Sequence, residues 1–131
     1  MSTSHTILVI EDEQHIAHVV KYNLERENYT VYLARDGVCG LKLTRELLPD
    51  MVLLDWMLPE ADGLEVLTEL MADERTRHIP VVMMTARGAG ADADRAAQLG
   101  AAGYITKPFD NTTLLDAVRE RLSPPAAAPR S

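Results

Sequence analysis

The sequence predicts an α/β protein: a five-stranded parallel sheet covered by helices on both faces. The first observation is that short, β-rich apolar runs alternate five times with segments whose apolar residues recur at helical spacing. The second is that runs such as residues 51–54 are apolar at every position, which is typical of strands buried on both faces of a sheet. Strands that alternate with helices are joined by right-handed crossovers, so we expect them to pair in parallel.

Each element has its own signal. Strands are indicated by short apolar runs rich in β-branched residues, and helices by longer segments with one apolar face. The predicted strands are residues 6–10, 30–34, 51–55, 79–84 and 104–105. The first, second and fourth predicted helices are residues 14–27, 40–48 and 92–99. The third follows Asp62-Gly63, carries apolar residues from Leu64 to Leu70 and frays into the charged residues 73–77. The last follows a cap at Asp110 or Asn111 and has Leu114, Leu115, Val118 and Leu122 on one side.

Turn and capping residues separate these elements. Asn28 is predicted to end the first helix and Gly100 the fourth. Asp36-Gly37 is a turn signal after the second strand, and Asp62-Gly63 precedes the third helix. Asp110, or the residue after it, is predicted to cap the last helix.

Composition narrows the class of protein. The 131 residues fit one domain, with 47% apolar and 25% charged residues as in ordinary globular proteins. We assign residues 1–122 to this domain and predict that the Pro/Ala-rich residues 123–131 are a disordered tail. A net charge of -7 argues against direct nucleic-acid binding. The lone Cys39 and the absence of a signal peptide or a long apolar span favour a cytoplasmic protein that does not enter a membrane.

Three carboxylates follow predicted strands. Glu11 and Asp12 come after the first strand and Asp55 ends the third, so the sheet brings them to one edge. At about 5 Å and an effective dielectric of about 20, each like-charge pair repels by roughly 3 kcal/mol, so the cluster needs a cation. Oxygen ligands alone favour Mg²⁺ or Mn²⁺. The alternatives are that Asp55 caps a loop and that the acidic pair is a solvated helix N-terminus.

A hydroxyl and an ammonium reach the same edge. Thr85 closes the fourth strand and Lys107 follows the fifth. Beside a metal-binding carboxylate pocket, these groups form an oxyanion-stabilising set. A carboxylate such as Asp55 can also attack phosphorus and form an acyl phosphate, with cationic groups neutralising the phosphoryl oxygens. Singly, Thr85 fits an ordinary strand residue and Lys107 a surface charge, but their joint placement favours a phosphoryl-transfer site.

Over about residues 5–122 the chain resembles the receiver (CheY-like) domain of two-component response regulators. The matching residues are Glu11-Asp12, Asp55, Pro59, Asp62-Gly63, Thr85-Ala86 and Lys107-Pro108-Phe109. The resemblance implies a flavodoxin-like fold, (βα)5, with strand order 2-1-3-4-5. It also implies that Asp55 accepts a phosphoryl group from a sensor histidine kinase or phosphotransfer protein, which docks near the exposed side of the first helix.

The resemblance further implies a role for each site residue. The implied metal ligands are Asp12, Asp55 and the backbone carbonyl of Met57, with Glu11 acting through water. The implied phosphoryl contacts are the Lys107 ammonium, the Thr85 hydroxyl and the Ala86 backbone N–H. Thr85 and Tyr104 would form the switch, in which the tyrosine ring turns inward, and the Lys107–Pro108 bond is expected to be cis.

Two positions are expected to tune the lifetime of the phosphoryl group. Met57 and Arg87 each lie two residues beyond a site residue. The resemblance implies that these positions vary within the family and that attacking water must pass their side chains. We therefore predict that Arg87→Ala changes the dephosphorylation rate more than it changes the affinity for Mg²⁺.

The output surface departs from the subfamily that the chain resembles most, the winged-helix transcriptional regulators. That subfamily has an acidic pair before the switch tyrosine and a charged dimer interface, whereas this chain has Ala102-Gly103. Ala93, Thr113 and Ala117 also stand at positions expected to be charged. A monomer and a phosphorylation-dependent dimer therefore both remain open.

The sequence favours one of two outputs and argues against two other classes of protein with a similar fold. No effector domain follows residue 122 in this sequence, which favours a stand-alone receiver with an unknown downstream protein partner over the receiver half of a DNA-binding regulator. A phosphatase of the haloacid-dehalogenase type has a second Asp where Met57 stands, so the chain is interpreted as a signalling receiver and not an enzyme. A flavin phosphate loop is excluded because the acidic residues 11–13 would repel phosphate.

Overall fold

The computed structural model describes residues 5–58, 62–86 and 91–122. Within these ranges five strands and five helices alternate. The strands are β1 (Thr6–Ile10), β2 (Thr30–Ala34), β3 (Met51–Asp55), β4 (Val81–Thr85) and β5 (Gly103–Thr106). The helices are α1 (Gln14–Glu25), α2 (Gly37–Leu47), α3 (Gly63–Ala72), α4 (Ala91–Gln98) and α5 (Asn111–Arg121). The predictions for Pro59, Arg87 and the tail 123–131 lie outside the described residues.

The sheet has the strand order β2-β1-β3-β4-β5, and every neighbouring pair is parallel. The predicted fold class and strand order are therefore confirmed. The register keeps the carboxyl ends of the strands level, since Asp55 pairs with Met84 and Thr85 with Thr106. Residues that follow the strands consequently meet along one edge of the sheet.

Several predicted boundaries shift by one or more residues. Three of the shifts coincide with a local structural feature. β4 begins at Val81 and not at residue 79, because Pro80 has no N–H to donate to a strand ladder. α2 begins at Gly37 and not at residue 40, because the Asp36 side chain accepts a hydrogen bond from the Cys39 N–H at 2.7 Å. Asp36 is thus a helix cap as well as a turn residue. α1 ends at Glu25 and not at residue 27, and the chain turns at Asn28, whose φ is 74°.

Two apolar layers enclose the sheet. β3 is buried at all five positions, and its side chains alternate between the layers. Met51 and Leu53 pack on the side of α1 and α5, whereas Val52 and Leu54 pack on the side of α2 and α3. This burial on both faces fixes the strand that ends at Asp55. None of the described helices is long and apolar enough to cross a bilayer.

Candidate functional site

The strand ends bring the predicted acidic and basic residues into direct contact. Glu11 follows β1, Asp55 ends β3 and Lys107 follows β5. The Lys107 Nζ lies 2.8 Å from Glu11 Oε1 and 3.2 Å from Asp55 Oδ1. One half-buried ammonium therefore joins two carboxylates that come from different strands.

Asp12 completes a cluster of three carboxylates. Single carboxylate oxygens of Glu11, Asp12 and Asp55 all lie within 4.8 Å of one another. Glu11 is 1% exposed and Asp55 4% exposed, whereas Asp12 faces solvent. Among the described side chains, Lys107 is the cation that contacts this cluster, so the three negative charges are not balanced. Hard oxygen donors with excess negative charge and one ligand open to solvent fit a divalent cation such as Mg²⁺.

The electrostatics of the pair follow from its burial. Burial raises the pKa of Asp55 to about 6, with the Glu11 charge adding to the effect and Lys107 opposing it. For Lys107, burial lowers the pKa, but the hydrogen bond to Glu11 and the charges of Asp55 and Glu11 outweigh it, so the net shift is upward. Lys107 therefore stays protonated at neutral pH. Asp55 ionises at a higher pH than an ordinary aspartate does.

Met57 lies at the rim of the site. Its backbone N–H donates to Asp55 Oδ1 at 3.3 Å, and its side chain is 66% exposed. Trp56, by contrast, is buried and packs with the apolar layer on the α2–α3 side. The backbone after β3 therefore borders the carboxylates, while the Met57 side chain extends into solvent.

Thr85 and Tyr104, the positions for which the resemblance implies a switch, lie on adjacent strands. Thr85 is buried at the end of β4, and its carbonyl accepts a hydrogen bond from the Lys107 N–H at 2.7 Å. Tyr104 pairs in register with Met83 and is exposed. Ala86 is exposed immediately after Thr85. The Lys107–Pro108 peptide bond is cis, as expected from the resemblance.

A cleft beside the site was not predicted from the sequence. It has a volume of about 500 Å³ and runs between α1 and the connection from β5 to α5. Its lining residues are His15, Ile16, Val19, Val20, Ala86, Lys107, Pro108 and Phe109. Val19 is 46% exposed there, although its place in the helical pattern indicated core packing. The pattern alone does not distinguish a core position from an apolar rim position.

Comparison with known proteins identifies the family. The family model described as the response regulator receiver domain matches residues 7–119. The chain belongs to the response regulator receiver family. This is a family of signalling receiver domains and not a classical enzyme family.

Curated relatives of this receiver include transcriptional regulators. It is 45% identical over 116 residues to the DNA-binding dual master transcriptional regulator RpaA of Synechocystis, covering 88% of this chain and 48% of that protein. It is 42% identical over 123 residues to the phosphate regulon transcriptional regulatory protein PhoB of Escherichia coli, covering 92% and 54%. The receiver thus spans about half the length of these curated relatives.

A solved receiver shows a metal in the corresponding fold. The receiver domain of a sensor histidine kinase from Pseudomonas aeruginosa is 28% identical, has a TM-score of 0.83, and covers 91% of this chain and 98% of its own. That structure has a magnesium ion coordinated in its active site cleft. A response regulator from Chloroflexus aurantiacus is also 28% identical, with a TM-score of 0.85 over 90% of this chain and 97% of that one.

Proposed function

We propose that Asp55 is the phosphoacceptor of this receiver, with a sensor histidine kinase or a phosphotransfer protein as the donor. An Asp55 carboxylate oxygen forms the new P–O bond while the P–N bond to the donor histidine breaks. The imidazole nitrogen keeps the electron pair of that bond and takes up a proton. The observation that carries this proposal is the Lys107 ammonium held between Glu11 and Asp55 at the carboxyl edge of the sheet.

The acidic cluster supplies a metal site. We assign Asp12, Asp55 and the Met57 carbonyl as ligands of Mg²⁺, with Glu11 acting through water; Mn²⁺ has the same ligand preference. When bound, the ion supplies positive charge to the phosphoryl oxygens. The exposed Asp12 gives the ion access from solvent. Binding of a cation is also favoured by the charges of buried Glu11 and Asp55, which Lys107 compensates only in part.

Three groups would hold the transferred phosphoryl group. Lys107 already lies 3.2 Å from Asp55 Oδ1, so a small movement of its side chain would reach a phosphoryl oxygen. The other two groups are the Thr85 hydroxyl and the Ala86 N–H, which lie at and directly after the end of the neighbouring strand β4. Such preoriented donors stabilise charge on the oxygens during transfer. The receiver would thereby promote its own phosphorylation by the donor and its own dephosphorylation by water.

The switch would couple this chemistry to the face formed by α4, β5 and α5. Thr85 is drawn toward the phosphoryl group, and the exposed Tyr104 ring turns inward into the space that opens. On this face Arg121 donates a hydrogen bond to the Ala102 carbonyl just before β5. Its charge is engaged within the chain, and uncharged Ala102 and Gly103 precede Tyr104, which supports recognition of a downstream protein through apolar contacts, by a monomer or a phosphorylation-dependent dimer.

Donor docking is proposed at the cleft between α1 and the β5–α5 connection. The cleft ends at Lys107, so a donor placed there has its histidine close to Asp55. Its apolar lining, including half-exposed Val19, suits an amphipathic helix of the donor. A cytoplasmic location is part of this proposal, because the donor and acceptor must meet.

A second candidate is the receiver half of a DNA-binding transcriptional regulator. The observation that favours it is the similarity to RpaA and PhoB, of which this chain spans about half. In either case we propose that residues 1–122 form the receiver and that 123–131 are a tail or linker. The shared chemistry at Asp55 is the same for both candidates.

Incubation with acetyl phosphate and Mg²⁺ tests the proposal. Intact-mass measurement should show the mass of one phosphoryl group added to the parent and none on Asp55→Asn or on the parent in excess chelator. Circular dichroism of Asp55→Asn confirms that the variant is folded. An equal adduct on both proteins, or no adduct on either, contradicts the assignment of Asp55.

A further inference from the structure

The chain returns to the phosphoacceptor at the start of α3. Met57 and Asp62 form an isolated antiparallel bridge, and the Gly63 N–H donates to the Trp56 carbonyl at 2.8 Å. In this kind of antiparallel pair, the hydrogen bonds are made by the residues flanking the pair. The N–H and C=O of Met57 itself therefore point away from Asp62.

The direction of the Met57 N–H shows where its carbonyl points. This N–H donates to Asp55 Oδ1 at 3.3 Å, so it faces the carboxylate cluster. A residue in an antiparallel strand presents its N–H and C=O to the same side, which is why opposite residues can exchange both hydrogen bonds. The Met57 carbonyl accordingly lies on the side of Asp55.

Gly63 permits the close approach that makes the bridge. A Cβ at this position would overlap the Asp55 carbonyl oxygen and would lie 2.8 Å from Trp56 Cα and 2.9 Å from the Trp56 carbonyl oxygen. These neighbours are backbone atoms and cannot rotate aside as a side chain could. The first residue of α3 therefore has to be glycine for the helix to lie against residues 55–56.

Asp62 fixes the other side of the bridge. Its side chain accepts from the Leu64 N–H at 2.9 Å, and its own N–H donates to the Glu65 side chain at 3.3 Å, which is a capping box. The backbone of Asp62 is thus tied to the first turn of α3. Through the bridge, that turn also restrains Met57.

We propose that Asp62 and Gly63 are positioning residues of the metal site, which hold the Met57 carbonyl toward the Asp12 and Asp55 carboxylates. This inference rests on the proposed function, in which that carbonyl is a ligand. The role is indirect: the two residues act on the orientation of a ligand, as groups behind the ligands of metal sites commonly do.

Calorimetric titration with Mg²⁺ alone tests the inference in the full chain. Asp62→Ala should weaken Mg²⁺ binding on the order of 10-fold, because the carbonyl loses its fixed orientation. Asp62→Asn should bind as the parent does, because Asn is also a good N-cap. The matched control is Asp36→Ala, which removes the equivalent cap of α2 away from the site.

The outcomes separate the inference from the function on which it rests. Equal weakening by Asp62→Ala and Asp36→Ala would show a general effect of losing a cap, and unchanged binding by Asp62→Ala would show that the bridge is not needed; either result overturns the positioning role alone. A parent that binds no Mg²⁺ overturns both proposals. Gly63→Ala is a second test, provided that circular dichroism shows the variant to be folded. It should weaken Mg²⁺ binding more than Asp62→Ala does, and binding equal to that of the parent would contradict the close approach of α3 to residues 55–56.

Discussion

The Lys107 ammonium lies 2.8 Å from the Glu11 carboxylate, an ion pair between the segments that follow β5 and β1. These two strands are not neighbours, because β3 and β4 lie between them in the sheet. The pair therefore spans the carboxyl edge, and Asp55 at the end of β3 shares the same ammonium at 3.2 Å. The structure concentrates more negative than positive charge there, which has measurable consequences for stability.

Removing the Asp55 charge should stabilise the metal-free protein. Burial and Glu11 raise the pKa of Asp55 from 3.8 to about 6, so its ionised form is disfavoured in the folded state at pH 7. We expect Asp55→Asn to raise the free energy of unfolding by about 1 to 3 kcal/mol at pH 7. Urea unfolding in excess chelator measures this difference. A less stable variant would show that the ionised carboxylate is net favourable in the folded protein.

The same shift predicts a pH dependence. Between pH 4 and 6, folded Asp55 retains a proton that the unfolded chain has released, so its contribution to stability decreases as the pH rises. The parent should therefore lose stability relative to Asp55→Asn across this window and stay at a constant difference above it. Unfolding curves of both proteins at half-unit pH steps, with chelator, measure this contribution of Asp55 to the free energy of unfolding. A constant difference throughout would contradict the raised pKa.

The features that follow from the fold as a whole could be predicted from the sequence, whereas those that depend on one side chain or one loop could not. Glu11, Asp55 and Lys107 were predicted to meet because the ends of parallel strands share one edge whatever the details of the loops. The start of α2 was predicted too late because Asp36 serves as a cap, which the turn signal Asp36-Gly37 does not reveal. The Met57–Asp62 bridge depends on the return path of one loop, and no periodic pattern encodes it.

Replacing Lys107 should separate stability from metal binding. Lys107→Met leaves the buried Glu11 and Asp55 carboxylates without their ammonium, so we expect a loss of about 2 kcal/mol in chelator at pH 7. Mg²⁺ should restore stability and bind at least as tightly as in the parent, because a competing cation is gone. Thermal unfolding with and without Mg²⁺ measures both effects. Weaker Mg²⁺ binding would instead make Lys107 a support of the metal site.

The Met57 side chain and backbone should have different roles. Met57→Ala keeps the backbone carbonyl and the N–H hydrogen bond to Asp55. The affinity for Mg²⁺ should therefore stay within about twofold of the parent, which is a change in binding free energy of less than about 0.5 kcal/mol. The side chain is exposed at the rim, so the decay rate of the phosphorylated protein should change. Calorimetry and the loss of the phosphoryl mass over time supply the two readouts. Unchanged decay would remove Met57 from the control of water access.

Charge at the cleft should affect transfer from a protein donor but not from a small molecule. Val19 is 46% exposed and lines the cleft that ends at Lys107, whereas Val38 on α2 is 72% exposed and is not among the cleft residues. A histidine kinase that phosphorylates the parent should transfer its phosphoryl group to Val19→Glu about 10-fold more slowly or slower still. A 10-fold change corresponds to about 1.4 kcal/mol of lost docking free energy.

Val38→Glu is the matched control, because it places the same charge on a different helix. Both variants should react with acetyl phosphate at the parental rate, since neither position contacts the carboxylate cluster. Equal slowing by the two variants would point to net charge as the cause, and slowing with acetyl phosphate would point to a damaged site; a selective loss with Val19→Glu places the protein donor on the α1 side of Lys107.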